Sequence, residues 1–118
     1  GESIQFSDSN VLLRRVSSTL EIKAHSGMSF TRNGGTSMTL DSSGNVEPGT
    51  DNSQNFGAAD KRWANIFSAD LQLSNEGTEG NEVDGTTGSW TIQEGEDDLY
   101  LLNRKNGKKY KFKLEEVE

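Results

Sequence analysis

The sequence has no cysteine, one histidine and one proline, and hydrophobic residues make up only 30% of its 118 positions. Without cysteine there is no disulfide framework, no thiolate metal site and no cysteine nucleophile. A single histidine excludes paired-histidine metal motifs within one chain, and His25 stands beside the Ser26-Gly27 turn with no carboxylate cluster around it. It reads as a turn or surface residue; only copies meeting on a threefold axis would make a site of it. No apolar run approaches the roughly 20 residues that a membrane helix needs, and no signal-peptide pattern opens the chain, so no membrane insertion is expected. Lys and Arg number 12 against 19 Asp and Glu, a formal charge of −7. That balance argues against nucleic acid, whose phosphates call for clustered cations. No G-x-S-x-G elbow, Walker A loop, H-E-x-x-H or EF-hand spacing occurs, so neither an enzyme nor a cofactor is expected.

The shortage of apolar residues has a direct consequence. A lone chain of this length with so little to bury struggles to offset its conformational entropy. Disorder would go with few aromatics, yet two Trp, two Tyr and five Phe recur between Gly, Asn and Ser clusters. The expectation is an ordered oligomer that completes its core with other chains. The opening Gly1-Glu2-Ser3, with no Met, suggests a fragment of a longer protein.

Residues 1–46 read as a short-strand β repeat segment. Ile4-Gln5-Phe6, Val11-Leu12-Leu13, Leu20 to Ala24, Met28 with Phe30, and Met38 with Leu40 are short runs, alternating or apolar. They are parted by Ser7 to Asn10, Ser17-Ser18, Ser26-Gly27, Asn33-Gly34-Gly35 and Asp41 to Asn45, all turn chemistry. Residues 47–75 form a connector in which Pro48 ends the strand run. Asp60 as a cap and Trp63 and Phe67 four apart predict a short helical turn at 60–67, and alternation predicts a strand from Ile66 to Leu73.

Residues 76–118 combine an acidic loop with a C-terminal β-meander. Trp90 and Ile92 alternate with polar neighbours, Leu99 to Leu102 runs apolar, and Lys109 to Leu114 has strict period 2 after Asn106-Gly107. A two-residue turn there sets Leu101 opposite Phe112, Leu99 opposite Leu114 and Asn103 opposite Tyr110 on one face. Lys109, Lys111 and Lys113 lie on the other, where Tyr100 would meet Lys113.

Charge is segregated. Glu76 to Asp98 holds eight acidic residues and no basic one, and Arg104 to Lys113 holds six basic residues and no acidic one. Solvated loops are the preferred reading of the acidic stretch, ahead of calcium at Glu94, Glu96, Asp97 or Asp98 and of a glycosidase carboxylate pair. For the basic stretch, docking against acidic turns of its own or a neighbouring chain is preferred over polyanion binding.

Asp41-Ser42-Ser43-Gly44-Asn45-Val46, then Pro48-Gly49-Thr50-Asp51-Asn52 and Gly57-x-x-x-Lys61-Arg62-Trp63-x-Asn65-Ile66-Phe67, resemble the distal region of tailed-bacteriophage tail fibres and related virion spikes. There, short β-repeats run into a G-x-x-x-x-R-W-x-x-I-(Y/F) segment. The stretch from Trp90 to Leu101 and on through Asn106-Gly107 to Phe112 is similar to the C-terminal ends of phage virion structural proteins. The resemblance covers most of the chain after Thr36. It implies a virion structural protein, extracellular when acting: an all-β homotrimer, intertwined or packed side by side, at the host-facing end of a phage tail. Its partners would be its own copies and a bacterial surface glycan or outer-membrane protein. Passive trimerisation with receptor binding elsewhere, a polysaccharide-cleaving spike, and a bacterial trimeric adhesin of the same architecture are the alternatives. Many such fibres end in a self-cleaving chaperone; the chain ends Leu114-Glu115-Glu116-Val117-Glu118, so that domain was removed or the meander itself serves as the trimer clamp. Trp63, Phe67, Trp90, Ile92, Leu99, Leu101, Tyr110, Phe112 and Leu114 are the candidate core or trimer-packing residues, and Tyr100, Glu76, Glu79 and Asp97 the candidate receptor contacts.

Overall fold

The computed structural model describes residues 3–5 and 11–118, an all-β chain in which every strand pairing is antiparallel and no helix occurs among the described residues. Phe6 and the turn expected from Ser7 to Asn10 lie outside the described residues. The chain divides into two compact units, residues 1–62 and residues 63–118.

The first unit holds two three-stranded sheets. Strands β1 (Ser3–Gln5), β2 (Val11–Val16) and β3 (Thr19–Ala24) form one, in that order. Its register sets Ile4 beside Leu13 and Leu13 beside Ile22, so period-2 alternation gathers Ile4, Val11, Leu13, Leu20, Ile22 and Ala24 on one face. Arg14 pairs directly with Glu21 on the other face, where their side chains form an ion pair. Strands β4 (Gly27–Arg32), β5 (Gly35–Asp41) and β6 (Val46–Pro48) form the second sheet. Met28, Leu40 and Val46 make one row across it, and Phe30, Met38 and Pro48 the next. Pro48 ends edge strand β6, a place where its missing N–H leaves no ladder bond unmade.

The turn from β5 to β6 is built by Asp41. Its Oδ1 accepts from the Ser43 N–H at 2.9 Å and the Asn45 N–H at 2.8 Å, while its Oδ2 accepts from Asn45 Nδ2 at 2.9 Å. These donors, the Asn45 amide foremost, hold the Asp41 carboxyl at about 2, well below the ordinary carboxylate range.

The expected helical turn at 60–67 does not form. The Ala58 N–H donates to the Lys61 carbonyl at 3.0 Å and the Lys61 N–H to the Ala58 carbonyl at 3.2 Å, so Asp60 sits in a tight reverse turn rather than at a helix cap. Nucleating a helix over so few residues is unfavourable, and two reciprocal bonds satisfy the backbone sooner. The strand expected from Ile66 also begins later. The Ser68 hydroxyl donates to the Asp70 carbonyl at 2.8 Å, a local bend that holds Ile66 to Asp70 out of the sheet.

Strands β7 (Leu71–Ser74), β8 (Ser89–Glu94), β9 (Leu99–Asn103) and β10 (Lys109–Lys111) form a four-stranded meander in the order β10-β9-β8-β7. The pairing of β9 with β10 differs by two residues from the expected register. Tyr110 lies opposite Leu101 and not Asn103, Lys111 opposite Tyr100, and the Phe112 N–H donates to the Leu99 carbonyl at 2.9 Å. The cause is the Asn103 side chain, whose Oδ1 accepts from the Lys105 N–H at 3.0 Å and the Asn106 N–H at 3.3 Å. The Gly107 N–H closes on the Asn103 carbonyl at 2.9 Å, so Arg104 to Gly107 makes a four-residue loop in place of a two-residue turn. An even shift keeps every side chain on its expected face.

Among the described residues no hydrophobic side chain is buried; Thr91, at 0% exposure, is the one fully buried residue. Each of the three sheets therefore gathers most of its apolar side chains on one face, with Leu12, Val16 and Leu102 on the other, and fully buries none of them.

Candidate functional site

The C-terminal meander positions nearly all the candidate residues. Its apolar face is assembled from alternate positions of four strands: Leu71 and Leu73, Trp90 and Ile92, Leu99 and Leu101, then Tyr110 and Phe112. Trp90 and Tyr110 meet across β9 with ring centroids 5.9 Å apart and planes tilted by 42°. The candidate packing residues Trp90, Ile92, Leu99, Leu101, Tyr110 and Phe112 are thus brought together on one surface. Trp63, Phe67 and Leu114 lie outside the strands and are exposed, Phe67 to 94%. Leu71 and Leu73, opposite Ile92 and Trp90, join the apolar face in addition to the expected packing residues. Their alternation with Asp70 and Gln72 was the available signal.

The opposite face is polar and internally bonded. Thr91 lies between Gln72 and Leu102 in the register; its hydroxyl donates to Gln72 Oε1 at 2.6 Å and accepts from Arg104 Nε at 2.8 Å. One row along, Gln93 pairs with Tyr100, and its Nε2 donates to Asp70 Oδ2, just before β7, at 3.1 Å. A shallow depression of ≈ 340 Å³ runs along this face beside Gln93, Tyr100, Leu102 and Lys109. The Tyr100 ring lies against Gly95, where an added Cβ would come within 2.6 Å of Tyr100 Cε2.

The acidic loop between β7 and β8, residues 75–88, is knit together by short polar side chains. Asn75 Oδ1 accepts from the Gly88 N–H at 2.7 Å, closing the loop at its neck. Asn81 Oδ1 accepts from the Val83 N–H at 2.8 Å and the Asp84 N–H at 3.0 Å, while its Nδ2 donates to Asp84 Oδ1 at 2.7 Å. Asp84 Oδ1 also accepts from the Thr86 N–H at 3.1 Å and the Thr86 hydroxyl at 2.8 Å. The Thr86 hydroxyl and then the Asn81 amide lower the Asp84 carboxyl below its ordinary value.

The four candidate receptor residues do not converge. Glu76 and Glu79 lie in the 75–88 loop, at the end of the sheet shared with Arg104 to Gly107, and Lys105 Nζ stands 3.6 Å from Glu76 Oε1. Asp97 and Tyr100 lie at the other end, around the tight turn in which the Gly95 N–H donates to the Asp98 carbonyl at 2.8 Å. There Lys111 Nζ is 3.9 Å from Asp98 Oδ1. The two ion pairs join the basic stretch to acidic turns of the same chain, the first of the two arrangements expected of it. Among the described residues no group of three or more His, Asp or Glu side chains is gathered as a metal site, the calcium candidates at 94–98 included. No protein-family model, curated protein or solved structure matches this chain.

Proposed function

We propose that this chain is a bacteriophage tail-fibre structural protein, a segment of a homotrimeric tip that takes part in attachment to the host cell surface. The observation that carries the reading is that no sheet fully buries its apolar face within the chain. The strands pair continuously but for a register shift between Phe30 and Thr31, yet no hydrophobic side chain is buried among the described residues. Fully burying one Leu, Ile or Phe contributes about 1.5–3 kcal/mol, and a domain that completes that burial for none of its side chains gains the remainder from copies of itself. The tail-fibre-like runs around Asp41 to Val46 and Gly57 to Phe67 give the assembly its context, and three identical sites on one fibre would multiply a weak affinity for a glycan or outer-membrane receptor. Sedimentation equilibrium at micromolar concentration tests the assembly: a species of three chains is expected, and a compact, stable monomer overturns it. Adsorption competition by the purified segment tests attachment.

A second reading, a passive clamp with receptor binding elsewhere in the fibre, is favoured by one observation: Glu76 and Glu79 are separated from Asp97 and Tyr100 by the length of the sheet. Under it, truncation before Trp90 abolishes assembly while substitutions in the 75–88 loop leave host adsorption unchanged.

A further inference from the structure

The order β10-β9-β8-β7 makes β10 and β7 the two open edges of one sheet, and three successive antiparallel pairings make them run in opposite directions. A second copy set alongside, pointing the same way, would therefore bring its β7 against β10 as an antiparallel pair. The backbone is poised for it. The Asn103 N–H to Lys108 carbonyl and Phe112 N–H to Leu99 carbonyl bonds turn residues 108, 110 and 112 toward β9. By alternation, Lys109 and Lys111 direct their N–H and C=O groups outward. At the other edge the Asn75 N–H to Gly88 carbonyl bond turns 71, 73 and 75 toward β8, so Gln72 and Ser74 direct theirs outward. Pairing the edges sets Lys109 and Lys111 against Gln72 and Ser74 on the polar face and continues the apolar rows of Tyr110 and Phe112 into Leu71 and Leu73.

Charge selects this pairing over its competitor. From Trp63 to Asn103, the part that holds β7, there is no Lys or Arg, and Asp70 precedes β7 while Glu76 and Glu79 follow it; from Arg104 to Lys113, the part that holds β10, there are six cations and no acid. Two β10 edges brought together on a twofold axis would set lysines opposite lysines, an arrangement that edge strands use to repel one another. The β7 edge of a neighbour carries no cation and has Asp70 and Glu76 near its two ends, so it does not repel the same lysines. A contact between two different surfaces of identical chains repeats until a ring closes.

We propose that β10 of one copy pairs with β7 of the next, so that three meanders close head-to-tail around an axis with the Leu71, Trp90, Ile92, Leu101 and Tyr110 faces turned inward. The inference rests on the trimer reading above and names the surfaces by which that trimer is made. The absence of native cysteine makes the test clean. Within one chain β10 and β7 lie three strand spacings apart, about 14 Å, beyond disulfide reach. The full chain carrying Ser74→Cys with Lys109→Cys, and a second carrying Ser74→Cys with Lys111→Cys, are oxidised and run on a non-reducing denaturing gel beside the single variants. A covalent trimer from at least one double variant, with no covalent dimer from any single variant, is the expected result. A dimer from Lys109→Cys or Lys111→Cys alone would mean twofold pairing of β10 and overturns the proposal. Uncrosslinked double variants that still sediment as three chains overturn it too, because the copies then meet elsewhere. An unsubstituted chain that sediments as a monomer removes the trimer reading itself, a separate failure read before any oxidation.

Discussion

Trp90 and Tyr110 stand on strands that are not neighbours, yet their rings meet 5.9 Å apart across β9, over the row that holds Leu101. Aromatic pairs of this kind add about 0.5–1.5 kcal/mol to their area burial. That contact fixes the centre of the apolar face. Leu101→Asp puts a charge in the middle of it and is expected to convert a sedimenting trimer to monomer. Tyr100→Ala, one residue along on the opposite face, should leave assembly intact. Equal loss of assembly in both variants would detach the apolar face from oligomerisation.

Two glycines of the acidic loop separate backbone conformation from steric contact. Gly77 and Gly80 both have positive φ, 81° and 103°, but an added Cβ at Gly77 meets nothing within 4 Å while one at Gly80 falls 2.2 Å from the Gly85 carbonyl oxygen. Gly77→Ala should cost about 1–2 kcal/mol, the ordinary penalty for an L-residue in left-handed backbone. Gly80→Ala should cost more and raise amide exchange at Asn81 and Gly85, whose N–H groups close the loop. Similar exchange in the two variants would mean that the crossing of the chain at Gly80 contributes nothing.

Asp41 and Glu47 titrate in opposite senses. Asp41 is held at about 2, so its stabilising effect is complete above the unfolded value near 3.8 and is lost as pH falls toward 2. Glu47 is raised above 4.5 by the hydrogen bond it shares with Asp41 and then by that carboxylate's charge. Its protonated form is the one the fold favours, so its contribution is present below 4.5 and fades as pH rises through the raised value. Carboxyl-carbon NMR titration reads both directly. In Asp41→Asn the Glu47 midpoint should return toward its ordinary range, and a Glu47 midpoint that stays put would show that the two groups are not coupled.

Thr91 ties the polar face to the β9–β10 loop through Gln72 and Arg104. Thr91→Val keeps the shape and the β-branch but removes both bonds, one of them to a guanidinium, at an expected cost of about 1–3 kcal/mol. Chemical denaturation measures it. A paired Arg104→Met variant should add little further loss, because the interaction it would remove has already gone.

Much of this protein was legible in its sequence. Short alternating runs between Gly, Asn and Ser clusters fixed an all-β chain, because period-2 patterning and turn chemistry act locally and depend on few distant residues. The same alternation put Trp90, Ile92, Leu101, Tyr110 and Phe112 on one face and Lys109 and Lys111 on the other, an assignment that survives a two-residue change of register. The scarcity of apolar residues pointed to a chain with only a thin core of its own, and among the described residues no hydrophobic side chain is fully buried. What only the tertiary structure decided was where side chains compete with the backbone for hydrogen bonds. Asn103 lengthened the last hairpin loop, Ser68 delayed β7, and reciprocal bonds between Ala58 and Lys61 displaced the expected helical turn. Each outcome turns on one or two polar contacts worth about 1 kcal/mol, too small and too dependent on geometry for residue pattern to register. The separation of Glu76 from Tyr100 to opposite ends of the sheet is of the same kind, because strand order sets it and composition does not.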